Sequence, residues 1–149
     1  MRRYLRLLLP AAVILSVGMS SAVPAFAGGT GAQKAPLVHN DEAQCTGGLF
    51  FSPRGNHGFV VIDAHHGVVR AKVSLKHATP NTTYGIELIQ TPSGQGCNDY
   101  KVGRLTTNGH GNGTASVSAP QNPGDTGAFV GLFYGNYHDF YNTPTVALR

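Results

Sequence analysis

Residues 68–77 read VVRAKVSLKH, and the alternation within this stretch decides the class of fold. Apolar residues occupy every second position and polar residues occupy the positions between them: Val69, Ala71, Val73 and Leu75 against Arg70, Lys72, Ser74 and Lys76. Because successive side chains of a β-strand point to opposite faces, this period of two predicts a strand with one buried face. The basic residues are then expected on the solvated face.

The chain beyond this stretch repeats the same pattern of short apolar runs separated by turn residues. We predict strands near residues 58–64, 68–77, 84–88, 102–107, 113–119, 128–134 and 145–148. His65-His66-Gly67 predicts a three-residue hairpin, and two Asn-Gly steps within residues 108–113 predict a second hairpin tip. No stretch has the period of a long amphipathic helix. We therefore predict an all-β fold of about seven strands.

The first 27 residues have the organisation of a secretory signal peptide. Arg2, Arg3 and Arg6 precede an apolar run at 7–17, and a small-residue pattern ends at Ala27. We expect cleavage after Ala27 and a secreted, extracellular product. No later apolar stretch has the length of a membrane span, so we expect no stable membrane anchor.

Removal of the signal peptide changes the charge of the chain. The formal net charge falls from +4 to +1, because three of the eleven basic residues and none of the seven acidic residues lie in the signal peptide. A net charge this small gives no reason to expect a nucleic-acid partner.

The mature chain divides into an N-terminal lead and one domain. Residues 28–44 lack an apolar pattern, so we predict a flexible lead there. Residues 45–149 then form a single domain of ordinary size. Cys45 and Cys97 are the only cysteines, and in an oxidising compartment they predict one disulfide.

Pro80, Thr82 and Tyr84 occupy alternate positions at the start of a predicted strand. This Pro-x-Thr-x-Tyr arrangement resembles the tyrosine corner of fibronectin type III-like domains, although Ala78 stands where those domains usually carry a leucine. The resemblance covers about ten residues of the chain. It implies an immunoglobulin-like, Greek-key β-sandwich in which the Tyr84 hydroxyl bonds to upstream backbone.

Residues 105–113 are similar to the Thr-rich hairpin of small secreted bacterial Ig-like proteins. That group includes the neocarzinostatin-type chromophore carriers. The similarity implies a small-ligand carrier as an alternative function, in which Phe129 and Phe133 line the ligand cleft.

The densest aromatic segment, residues 133–141, reads FYGNYHDFY. Aromatic side chains on loops make good binding surfaces because they combine apolar area with polar edges. With the preceding strand, the candidate binding residues are Phe129, Phe133, Tyr134, Tyr137, His138, Phe140 and Tyr141. The competing interpretation is cross-strand aromatic packing inside the domain.

The leading functional hypothesis is a secreted, non-enzymatic and monomeric binding module. Its partner would be a protein, a glycan or a small apolar ligand. A third hypothesis, a small extracellular hydrolase, would use loop carboxylates such as Asp99 and Asp139. The seven histidines form no ligand motif of recognisable spacing, so we expect no metal and no cofactor.

Overall fold

The computed structural model describes residues 31–40, 55–92, 101–135 and 139–148, which form strands and turns with no helix. The all-β prediction is therefore confirmed. In this described part of the chain no helix provides an apolar segment of membrane-spanning length. The predicted signal peptide and both cysteines lie outside the described residues, so cleavage and the disulfide stay predictions.

Nine antiparallel strands of the described residues make up a single sheet. They are β1 (Gln33–Asn40), β2 (Asn56–His65), β3 (Val68–Leu75), β4 (Thr83–Thr91), β5 (Lys101–Thr106), β6 (Gly113–Pro120), β7 (Gly127–Tyr134), β8 (Asp139–Asn142) and β9 (Val146–Ala147). Their order is β5-β4-β7-β8-β1-β2-β3-β6, and β9 also pairs with β7. The two edge strands, β5 and β6, lie alongside each other, so the sheet is nearly closed into a barrel.

The buried face of the sheet follows the alternation that the sequence shows. In β3 the apolar positions Val69, Ala71, Val73 and Leu75 are buried, and in β4 Tyr84, Ile86 and Leu88 are buried in the same way. These side chains belong to one hydrophobic core inside the curved sheet. Burial of their apolar area is the main stabilising contribution to such a fold.

The prediction of a flexible lead at residues 28–44 is wrong for Gln33–Asn40. This segment is strand β1, which pairs with β2 on one side and with β8 on the other. Ala35 and Leu37 lie in the core, and Pro36 lies between them near a break in the β1–β2 register. Two buried positions are too few to produce a visible period, and the pairing partners are distant in sequence.

The count of about seven strands omits β1 and β8. Strand β8 (Asp139–Asn142) overlaps the aromatic segment 133–141, for which the sequence left surface binding and cross-strand packing open, and it pairs with β7. Beyond β8, Thr143 continues the pairing because its N–H donates to the Val130 carbonyl at 3.0 Å and its hydroxyl accepts the Val130 N–H at 3.1 Å. Strands β8 and β9 are therefore two parts of one interrupted strand beside β7.

Of the two predicted hairpins, the first is present with a shorter loop, and the second does not form between the described strands. His65 pairs directly with Val68, so the β2–β3 loop has two residues rather than three, with positive φ angles of 52° at His66 and 73° at Gly67. Residues 108–112 do not join paired strands, because β5 pairs with β4 and β6 pairs with β3. This loop instead carries the chain across the seam between the two edge strands.

Candidate functional site

The structure separates the predicted binding residues into buried and exposed groups. Phe129, Phe140 and Tyr141 are 0%, 1% and 3% exposed, and Phe133 is half-buried. Tyr134 is 49% exposed and is the one large hydrophobic side chain on the surface of the described residues. Tyr137 and His138 lie outside those residues. The exposed part of the predicted surface is therefore centred on the end of β7.

Tyr134 borders an open groove of about 600 Å³ beside β4, β5 and β7. Two aromatic residues, three glycines and three other residues line the groove: Phe133, Tyr134, Gly85, Gly103, Gly135, Thr83, Val102 and Arg104. Aromatic carbon, exposed backbone and one guanidinium group thus face the same space. This combination can recognise a partner through both apolar contact and hydrogen bonds.

Gly85 positions the aromatic floor of the groove. It lies directly opposite Phe133 in the β4–β7 register. A Cβ atom at Gly85 would lie 2.4 Å from Cζ of Phe133, so the ring of Phe133 occupies the space that a side chain would need. The Phe133 ring therefore covers the β4 backbone at this point.

A row of ring contacts supports Tyr134 from the inside of the protein. Its ring lies 6.1 Å from that of buried Tyr84, and Tyr84 lies 5.6 Å from Tyr141, both with edge-on geometry. Tyr141 also contacts His39 at 4.9 Å and His57 at 5.2 Å. Aromatic pairs of this geometry are attractive beyond the area they bury, so Tyr134 is held as a supported side chain on the surface.

Among the described residues, no carboxylate lines the groove. Glu87 and Asp125 are buried, while Asp99 and the side chain of Asp139 lie outside the described part of the structure. Among the described residues there is also no group of three or more His, Cys, Asp or Glu side chains that could hold a metal ion.

Of the predicted tyrosine-corner residues, Pro80 and Thr82 lie in the turn before β4, and Tyr84 is the second residue of β4. Tyr84 is fully buried, and the Thr82 hydroxyl donates to the Pro80 carbonyl at 3.0 Å. Ala78 packs against Gly111 of the β5–β6 loop, where an added Cβ would lie 2.0 Å from the Ala78 carbonyl oxygen. The close contact is between the two backbones, and it accounts for glycine at position 111.

Thr107, for which the sequence gives no functional signal, fixes the same turn from the other side. Its buried hydroxyl donates to the Thr79 carbonyl at 2.7 Å and accepts the Thr82 N–H at 3.0 Å. Gly85 and Arg104 could not be identified from the sequence either, because their roles in the groove depend on which strands are neighbours. The local sequence around these three residues contains no signal for those long-range contacts.

No family model matches the chain, and comparison with curated proteins and with solved structures finds no similar protein. The functional interpretation therefore rests on the geometry of the groove and on the residues that line it.

Proposed function

We propose that the mature chain is a secreted, non-enzymatic binding module that contacts its partner through the groove beside Tyr134. The observation that carries this proposal is the exposure of Tyr134 at the rim of the groove, with Phe133 at its floor. A large ring that is held in place by a buried neighbour loses little conformational freedom on binding. Such rings commonly dominate the energy of an interface.

The shape of the groove favours an extended partner, and we propose a glycan chain. Small apolar ligands usually occupy enclosed cavities that cover most of their surface, whereas this groove is open. Phe129, which the carrier hypothesis would place in the ligand cleft, is fully buried. A sugar ring can lie against Phe133 and Tyr134 while its hydroxyl groups bond to Arg104 and Thr83.

The immunoglobulin-like or fibronectin type III-like assignment belongs to the same proposal. Buried Tyr84 and the bond from Thr82 to Pro80 support it, as does the passage of both the β3–β4 and β5–β6 connections across the seam. All described strands nevertheless form one sheet, whereas the predicted sandwich has two. The assignment would therefore describe a sandwich whose two sheets are joined through the pairing of β1 with β8.

The proposal is tested by titrating the mature chain with short neutral oligosaccharides in a calorimeter. Replacement Tyr134→Ala should weaken binding by about tenfold or more, the loss expected when an aromatic anchor is removed. The matched variant Tyr134→Phe keeps the ring and should bind within about threefold of the parent chain. The oligosaccharides should be recovered unchanged, because the proposed module does not cleave its partner.

Two results would contradict the proposal. One is equal affinity of the Tyr134→Ala variant and the parent chain, which would place the contact elsewhere. The other is progressive shortening of the oligosaccharides during incubation, which would identify an enzyme. A parallel titration with unstructured peptides separates a glycan partner from a protein segment.

A further inference from the structure

Among the described residues, acidic and basic side chains differ in how exposed they are. The small net charge expected for the mature chain does not show this difference. Two of the carboxylates, Glu87 and Asp125, are buried, and Asp63 is half-buried. The cations whose side chains are described are all exposed: Lys34, Arg70, Lys72, Lys76 and Arg104. Apart from Arg104 on β5, these cations lie on β1 and β3 or directly after β3. Among the described residues, the side of the sheet formed by β1, β2 and β3 therefore carries four exposed cations and one half-buried carboxylate.

Strand register gathers these cations into rows on the outer face of β1, β2, β3 and β6. In one row Asp63, Arg70 and Ser118 are opposite one another. In the next row Lys34, Val61, Lys72 and Ser116 are opposite one another. We call these seven residues together the cationic face. Alternate residues of a strand are roughly 7 Å apart, so Arg70 and Lys72 present two evenly spaced charges.

The cationic face also contains hydroxyl groups beside its charges. A hollow of about 300 Å³ lies between β3 and β6 and is lined by Asp63, Arg70, Lys72, Ser116 and Ser118, among others. Ser116 and Ser118 are exposed, so their hydroxyls are accessible next to the two cations. Guanidinium and ammonium groups bind carboxylate and sulfate oxygens, and serine hydroxyls can bond to sugar hydroxyls.

Phe59 is an aromatic residue on the outer side of these strands, and its ring is half-buried. The Lys34 ammonium group lies 4.0 Å from the centre of this ring, a cation–π contact that holds the charge above the sheet. The cationic face therefore offers charge and hydroxyl groups. It offers no exposed aromatic platform for nucleotide bases and no apolar wedge for a membrane among its described residues.

We propose that the cationic face binds an acidic polysaccharide. Carboxylate or sulfate groups of the glycan would contact Arg70, Lys72 and Lys34, while sugar hydroxyls would contact Ser116 and Ser118. This proposal goes beyond the Tyr134 groove, because no residue of the cationic face lines that groove. It depends on charge, so its affinity falls as the salt concentration rises.

The test measures binding of a size-defined heparin oligosaccharide to the mature chain over a series of salt concentrations. The double variant Arg70→Gln/Lys72→Gln should bind about tenfold more weakly and show a shallower dependence on salt, because fewer counterions are released on binding. The variant Asp63→Asn, which removes the negative charge of the cationic face, should bind more tightly than the parent chain. A gain of affinity cannot arise from misfolding, so the two variants test the same surface in opposite directions.

Three competing probes complete the experiment: polygalacturonate, a DNA duplex and vesicles that contain phosphatidylglycerol. Binding to heparin and to polygalacturonate, and weaker binding to DNA and vesicles, supports the proposal. Preference for DNA or for vesicles would overturn it, and so would unchanged heparin affinity in the double variant. Failure here leaves neutral-oligosaccharide binding by Tyr134 unaffected, so the two proposals fail separately.

Discussion

At the scale of single residues, the hydroxyl of Thr107 connects two segments that are far apart in sequence. It bonds to Thr79 and Thr82 in the turn before β4, while the Thr107 N–H donates to the Thr82 carbonyl at 2.9 Å. The turn thereby keeps its polar backbone groups satisfied although Thr82 and Thr107 are buried. Tyr84 lies two residues after Thr82, so this fixed turn sets the position from which the Tyr84 side chain enters the core.

We predict that Thr107→Val lowers the free energy of unfolding by about 1–3 kcal/mol, because the buried Thr82 N–H loses the Thr107 hydroxyl as its acceptor while the volume of the side chain is preserved. The free energy is measured by urea denaturation followed by circular dichroism. The control is Thr106→Val at the neighbouring exposed position, which should change stability by no more than about 0.5 kcal/mol. Equal effects of the two changes would contradict the role given to Thr107.

At the scale of strands, Gly103 allows β5 to approach β6 where the sheet nearly closes. A Cβ atom at Gly103 would lie 2.6 Å from Cγ1 of Val117, which is closer than side-chain atoms normally approach. At this contact of the seam, a position without a side chain on β5 faces a branched side chain on β6. The role of this glycine cannot be recognised from the sequence until β5 and β6 are known to be neighbours.

We predict that Gly103→Ala destabilises the protein by about 1–3 kcal/mol through overpacking against Val117. In the double variant Gly103→Ala/Val117→Ala the two costs should not add, and the coupling between them should reach about 1 kcal/mol. Gly109→Ala is the matched control, since a Cβ atom there meets nothing within 4 Å. Additive effects at positions 103 and 117 would show that the seam does not close at this contact.

Strand β1 provides the second test at this scale. We predict that a chain starting at Cys45 does not unfold cooperatively on heating, because it leaves β2 and β8 without the strand between them and removes Ala35 and Leu37 from the core. A chain starting at Gln33 keeps β1 and should melt in one transition like the mature chain. Calorimetry distinguishes the outcomes, and a cooperative transition of the shorter chain would restore the flexible-lead interpretation.

These elements show which parts of the fold are predictable from sequence. The alternation of β3 predicts both its strand and its buried face, because period two is a local property. Strand β1 has the same buried alternation over only two apolar positions, and Pro36 between them conceals it. The seam and the loop at residues 108–112 depend on pairing between distant strands, so turn chemistry alone predicts a hairpin that the sheet order excludes.

At the scale of the whole molecule, two surfaces with different chemistry lie on different strands of one barrel. The groove beside Tyr134 belongs to β4, β5 and β7, and the cationic face belongs to β1, β2, β3 and β6. The sequence indicates the aromatic part of the groove, because residues 133–141 concentrate rings. It cannot indicate which rings are exposed, and it cannot predict that Glu87 and Asp125 are buried while the cations of β1 and β3 are exposed.

Partner binding through the groove is tested most directly by amide chemical shifts of the ¹⁵N-labelled mature chain during titration with a neutral oligosaccharide. We predict shifts concentrated at Thr83, Gly85, Arg104 and Tyr134, and absent from Arg70 and Lys72 of the cationic face. Shifts that appear only on the cationic face, or only near His39 and His57 at the far end of the row of rings, would contradict the account.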